Sequence, residues 1–188
     1  MSHAAVIASA QKKEDQLHET EARWFAVRTK AKSEKYVQVL LQKKHIVAYV
    51  PLQRLMKRYK KCTKMHEKPL INSYIFVKII KPEYLRVIET ENVAGFIKFD
   101  RAMIAIPENE IELMRRFTLE TELEMEAIPG IMPDVGDQVE IKAGNLMGLK
   151  GRVMEFKGKR RLLVELETVG YSLLITIDAH FLNKVGRL

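Results

Sequence analysis

"VGDQVEIKAGNLMGLKGRVMEF", residues 135–156, is the stretch on which the reading of this chain turns. Four glycines, Gly136, Gly144, Gly148 and Gly151, fall among residues that otherwise alternate apolar and polar as β-strands do. A phosphate-cradling loop needs G-x-x-x-x-G-K-[ST] between a strand and a helix. Here Gly144 and Gly148 stand one residue too close, Gly151 follows Lys150 where a hydroxyl should be, and a strand comes next. A G-x-x-x-G helix contact would need a long apolar helix around it, and the flanks are polar. Chain reversal remains. Gly136 and Gly144 permit turn dihedrals, while Gly151 opens a strand where a side chain would crowd its neighbour.

Working outward, residues 134–188 carry five strand candidates, at 138–142, 151–156, 162–167, 172–177 and 181–184. Apolar positions alternate in three of them: Val139 and Ile141, Val164 and Leu166, and Leu173, Ile175 and Ile177. Short strands at this spacing predict a small, strongly bent barrel. Upstream, "TELEMEAIPGIMP" (121–133) is acidic and then carries Pro129, Gly130 and Pro133, the composition of a linker.

Residues 23–120 read differently. "RWFAVRT" (23–29) predicts a strand, and Ser33 a helix cap ahead of Val37, Leu40 and Leu41 on one face, with the stem of Lys44 beside them. "IVAYVPLQRLMKRY" (46–59) is a strand that Pro51 interrupts, marking an edge or bulge. A basic loop follows, and then "LINSYIFVKII" (70–80), a strand apolar on both faces from Tyr74 to Val77 and so central in a sheet. Pro82 opens a short helix with Leu85 and Ile88 inward, "VAGFIKF" (93–99) is a strand, and Pro107 opens a helix with Glu108 and Glu110 in its first turn. The order is β-α-β-β-α-β plus a closing helix, predicting one sheet with helices on one face. Residues 1–22 are polar without periodicity and are expected to be a flexible tail.

The net charge of +8 is unevenly placed. Residues 23–120 hold 21 basic and ten acidic groups, whereas 134–188 hold nine and seven. That asymmetry points to a polyanion contact confined to the first domain. No run of 18 apolar residues exists, so no membrane span is expected, and the apolar patch Ala4–Ala10 lacks the preceding positive charge of a secretory signal. A single cysteine, Cys62, rules out an internal disulfide; the cytoplasm is the expected compartment.

The glycine-rich stretch with its following hairpin resembles a KOW motif on an SH3-like barrel. "RWFAVRTKAKSEKYVQVLL", "KPLINSYIFVKI", "VAGFIKF" and "IAIPENEIELM" resemble, in order and spacing, the amino-terminal (NGN) domain of the NusG family of transcription elongation factors. The resemblance spans residues 23 to 185. It implies an α+β fold: a split β-α-β antiparallel sheet over 23–120 (NGN-like), a linker at 121–133, and an all-β KOW barrel over 134–188. Where the family usually has an aromatic-Pro-Gly-Tyr turn, this chain has Ile71-Asn72-Ser73-Tyr74. That departure resembles the specialised paralogues that act on particular operons, and the overall look is similar to the UpxY-type antiterminators of capsular polysaccharide operons.

The resemblance implies RNA polymerase as partner, its clamp helices seated in an apolar depression. The matching residues are Trp24, Phe25, Pro51, Leu70, Ile71 and Tyr74. Strand alternation turns Trp24 and Phe25 opposite ways, so one at most belongs to the groove, and Tyr74 is its best single candidate. Tyr84 and Arg86 match the segment that meets the opposite jaw of the cleft in paralogues. Val169, Gly170 and Tyr171 match the loop by which the KOW barrel meets a second protein. In the housekeeping factor that protein is a termination helicase or a small-subunit ribosomal protein.

The basic stretch "RLMKRYKKCTKMHEK" (54–68) sets Arg54, Lys57, Arg58, Lys60, Lys61, Lys64 and Lys68 against one acid, Glu67. Lysines at a hairpin tip neutralise phosphates, and Tyr59 could stack on an unpaired base. In the resembling family this hairpin lies near upstream DNA; the nucleic-acid partner expected here is upstream or non-template DNA. The histidines are scattered, and Cys62 with His66 supplies only two ligands where zinc wants three or four. Glu108, Glu110 and Glu112 read as a solvated helix start. No metal, cofactor or enzymatic activity is expected. The alternative to a transcription factor is a ribosomal KOW protein that binds rRNA.

Overall fold

The computed structural model describes residues 14–59, 62–99, 101–120, 125–129, 136–144, 146–156, 159–176 and 179–185. Along the first domain run β1 (Arg23–Thr29), α1 (Glu34–Lys43), β2 (Val47–Tyr49), β3 (Leu52–Tyr59), β4 (Cys62–Pro69), β5 (Tyr74–Ile79), α2 (Tyr84–Ile88), β6 (Val93–Phe96) and α3 (Glu108–Leu119). Four strands form an antiparallel sheet in the order β2-β5-β1-β6, so β5 lies inside the sheet as its two-sided apolar run predicts.

The two-residue period of β1 divides the core. Phe25 and Val27 face Ile75, Val77 and Ile79 beneath α1 and α2, where Val37, Leu41 and Val87 close the packing. Trp24 and Ala26 face the other way, toward Phe76 and the α3 residues Ile111, Met114 and Phe117. The helices therefore cover both faces, not one, because β1 and β5 are apolar on both sides.

Several local expectations are corrected. Leu85 is 61% exposed and Val87 is the buried residue of α2, whose phase is set by the 3-10 turn Lys81–Glu83 that precedes it. Ser33 occupies the cap position of α1, but its hydroxyl makes no capping bond. Leu70 to Ser73 form a turn rather than strand: Ser73 has φ +62°, and its N–H donates to the buried Glu34 carboxylate at 2.6 Å. The basic stretch is no loop but a ribbon, β3 and β4 pairing from Leu52↔Pro69 to Tyr59↔Cys62. Pro51 marks the exit, since a residue without an N–H ends pairing at the sheet edge. Residues 14–22, expected as tail, are strapped to the domain. Gln16 N donates to Met103 O, Lys81 N donates to His18 O, and Leu17 packs beside the inner core. Such backbone bonds leave no periodic trace in the side chains.

The second domain is a six-stranded antiparallel sheet of β7 (Met125–Pro129), β8 (Asp137–Ile141), β9 (Lys150–Phe156), β10 (Lys159–Leu166), β11 (Tyr171–Ile175) and β12 (Leu182–Lys184), ordered β12-β8-β9-β10-β11-β7. All five expected strands are present. The sixth, β7, lies within the stretch read as a linker and pairs with β11 from Tyr171↔Pro129 to Ile175↔Met125. Its proline terminates an outer strand, where the missing N–H is tolerated.

Gly151 has the role its position in the sequence suggests. A Cβ there would stand 2.5 Å from the Leu163 carbonyl oxygen on the adjacent strand, a backbone atom that cannot swing aside. Gly151→Ala is expected to destabilise this domain by about 1–3 kcal/mol, the range for overpacking. A denaturant midpoint unchanged from the native chain would show that the two strands can part freely there.

Candidate functional site

The sheet face opposite α1 gathers several of the residues expected of a groove. Trp24 is joined in one apolar cluster by Leu70 and Ile71 from the turn before β5, with Tyr49 and Tyr74 at its margin and α3 along one side. Trp24 is held by a hydrogen bond from its indole Nε1 to Glu108 Oε2 at 2.9 Å. Lys78 reaches the same oxygen at 3.0 Å, and this contact leads the lowering of the Glu108 carboxyl below its usual range. Arg115 and Lys78 each stand 5.8 Å from the Trp24 ring centre.

This face is not open. The turn between β10 and β11 lies across it, and the apolar cluster runs on without a break into Val139, Leu146, Leu166 and Val169 of the second domain. Thr168 N donates to Glu110 Oε1 at 3.0 Å. The Tyr171 ring meets Tyr74 edge-on, centroids 5.5 Å apart at 78°. Burial first, and then the hydrogen bond with the Tyr74 hydroxyl, push the Tyr171 phenol up to about 12, against the opposing charge of Arg28. Gly170, at φ +72°, closes the turn through its N–H to Leu166 O at 2.9 Å and lies against Phe99. A fourth tie joins Arg116 to Met147 O at 2.8 Å.

Placed on this geometry, the expected residues sort clearly. Trp24, Leu70, Ile71 and Tyr74 share the face; Pro51 is buried beside it, its carbonyl accepting from Leu70 N at 2.8 Å. Phe25 does not: it is 1% exposed in the opposite core, edge-on to Phe96. Val169, Gly170 and Tyr171 are brought onto the groove itself, so the two candidate protein-binding surfaces cover one another. Tyr84 stacks on Phe96 at 4.9 Å, and Arg86 is tied to the Lys44 carbonyl, which places both on the α1 side of the sheet.

The ribbon carries the expected cations. Arg54 is exposed and pairs with Glu67 at 3.3 Å, and Lys35 joins the same carboxylate at 2.6 Å. Lys57, Arg58, Tyr59 and Lys64 are placed by backbone register alone, Lys57 directly opposite Lys64. Lys60 and Lys61 lie outside the described residues. Among the described residues no group of three or more His, Cys, Asp or Glu side chains could hold a metal ion. No helix among them is long and apolar enough to cross a membrane.

Sequence reasoning missed Glu110, Thr168, Phe99 and Arg116. Glu110, expected within a solvated helix start, is buried. Its spacing from Met114 and Phe117 puts it on the apolar stripe of α3, a signal that was available. Thr168 contributes a backbone N–H, which no residue pattern reveals.

Fold and site define a two-domain protein: an α+β domain with an apolar face and a basic ribbon, followed by an all-β domain whose turn covers that face. Residues 22–115, half of the chain, match the family described as transcription termination factor NusG. The chain belongs to the NusG family, non-enzymatic transcription elongation and termination factors that bind RNA polymerase. Among solved structures it is similar to Thermotoga maritima NusG, from work on domain interaction in that protein. The two are 18% identical, with 88% of this chain and 98% of that one covered and a TM-score of 0.57. It also matches the MjSpt4:Spt5 complex at 22% identity, covering 88% of this chain and 99% of that one with a TM-score of 0.29. No curated protein matches.

Proposed function

We propose that this chain suppresses pausing or termination by RNA polymerase on a limited set of operons, polysaccharide biosynthesis operons of the UpxY type among them, in the cytoplasm. One observation carries the reading: Trp24, Leu70, Ile71 and Tyr74 converge on a single apolar face of the domain that defines the family. An apolar groove of this kind suits a helical partner, here the polymerase clamp helices. Seating them requires the β10–β11 turn to lift, so the second domain and the polymerase compete for one surface. Lifting also frees Val169, Gly170 and Tyr171 for a second protein. The factor then acts by favouring one polymerase conformation through differential affinity, with no chemistry of its own.

The ribbon supports a nucleic-acid contact beside that docking. Lysines at directly opposed positions, as at 57 and 64, disfavour a free ribbon and are relieved by a polyanion. The partner proposed is upstream or non-template DNA. Changing Lys57, Arg58 and Lys64 together to Glu is expected to lower affinity for a DNA-bearing elongation complex at least tenfold. It should also flatten the salt dependence by roughly two to three counterions. The rRNA reading explains the basic ribbon but not the match over residues 22–115.

The test is transcription through the leader of the chain's own operon by purified polymerase, with and without the full-length protein. Longer pauses bypassed, or more read-through, are expected. Unchanged pausing overturns the antitermination reading. Retention of ribosomes in place of polymerase substitutes the rRNA-binding one.

A further inference from the structure

We infer that Glu110 is a recognition residue of the apolar face, one that pairs with a cationic side chain presented by the docking partner within an otherwise apolar helical surface. The inference rests on the reading that polymerase docks on this face. It goes further by stating a chemical requirement on the partner.

The argument begins from a mismatch. Glu110 is 9% exposed on the stripe of α3 that also carries Ile111, Met114 and Phe117. Its Oε1 accepts one backbone N–H, from Thr168. Its Oε2 is buried with no hydrogen-bond partner among the described residues. Leaving an oxygen of a buried carboxylate unpaired is unfavourable, and a neutral amide or an alkyl group would serve the covered state better. The first turn of α3 favours an acid at this position, but neither that nor the Thr168 bond accounts for burying it with Oε2 unpaired.

Three cations on and beside α3 are engaged elsewhere, and Arg28 of β1 faces Tyr171. Arg115 pairs with Glu112 at 3.3 Å and stands 4.0 Å from Glu108; Lys78 is held by Glu108, and Arg116 donates to the Met147 carbonyl. When the β10–β11 turn leaves, the Glu110 carboxylate loses its one donor and faces outward from an apolar surface. A partner that covers this face again must supply donors there or pay the full desolvation cost. A guanidinium or ammonium group satisfies both oxygens at once, and charge-assisted bonds of this kind are the strong ones. The occupant that fits is an amphipathic helix whose aliphatic residues meet Trp24, Ile71 and Tyr74 and whose single Arg or Lys meets Glu110. An apolar depression alone would accept many helices; a buried charge rejects those without the matching cation.

The experiment compares full-length wild type, Glu110→Gln and Glu110→Ala for binding to purified RNA polymerase across a salt series. Gln keeps an oxygen for Thr168 N, so the closed state is retained while the charge is lost. The expected result is roughly tenfold weaker binding for Glu110→Gln, with a shallower salt dependence, because a hydrogen bond to a charged group is replaced by a neutral one. Equal affinity and equal salt slope for Glu110→Gln overturn the proposal. So does tighter binding by both variants, which would make Glu110 a latch for closure only. Absence of wild-type binding is a different failure: it removes the docking reading itself, and this inference with it.

Discussion

Phe25→Ala is expected to cost about 3–5 kcal/mol of folding stability, a large share of the roughly 5–15 kcal/mol that holds a domain together. The ring is 1% exposed and is enclosed on every side. Phe96 meets it edge-on at 6.5 Å, Val77 sits directly across the ladder, and Val37 and Leu41 of α1 cover it from above. A cavity bounded by a hydrogen-bonded sheet and a helix cannot collapse easily, which puts the loss near the upper part of the range. The result separates two roles that the sequence leaves open, core and polymerase contact. Urea unfolding with polymerase binding measured on the same samples decides between them. Loss of binding should track loss of fold, and Phe25→Leu, which keeps most of the volume, should recover both to within about 1.5 kcal/mol. A Phe25→Ala protein that stays folded yet fails to bind would return the residue to the docking surface.

What could be read in the sequence, and what could not, follows from the length scale of each signal. Strand period is local, so the alternation at Val139 and Ile141 or Leu173 and Ile175 locates β8 and β11 to within a residue or two. The opposite orientations of Trp24 and Phe25 follow from the same period, and the structure assigns them to separate cores. Strand β7 was hidden because its sequence, Met125 to Pro129, has a glutamate and a proline and takes its strand character from pairing with β11. Tertiary pairing overrode local propensity there. The face of α2 departs from expectation for a related reason: a 3-10 turn precedes the helix and shifts its phase, and five residues are too few to reveal it. The contact between domains left almost no local mark. Beyond apolar packing, it is made by a backbone N–H at Thr168, a carbonyl at Met147 and an edge-on tyrosine pair, none of which imposes a period. Only Glu110, an acid on an apolar helical stripe, hinted that something covers this face.

Val169→Asp is expected to open the molecule. Val169 is 5% exposed within the continuous apolar cluster, between the residue that donates to Glu110 and the glycine that packs on Phe99. An aspartate there would be desolvated in the closed state and would stand next to the carboxylate its neighbour already serves. An uncompensated buried charge costs about 3–5 kcal/mol, and opening relieves it by exposing the turn to water. At about 1.4 kcal/mol per tenfold, the closed-to-open ratio should fall by about two to three and a half orders of magnitude. On the proposed docking, polymerase needs the uncovered face, so its apparent dissociation constant is the intrinsic one divided by the open fraction. Affinity should therefore rise by as much as closure had suppressed it, while the radius of gyration in small-angle scattering increases. An unchanged radius with unchanged affinity would mean that docking does not require the turn to leave. An increased radius with weaker binding would make the turn itself part of the polymerase contact. If affinity rises as expected, linkage demands the converse: polymerase must expose Val169, Gly170 and Tyr171 by the same free energy, so a second protein that needs them binds the engaged factor in preference to the free one.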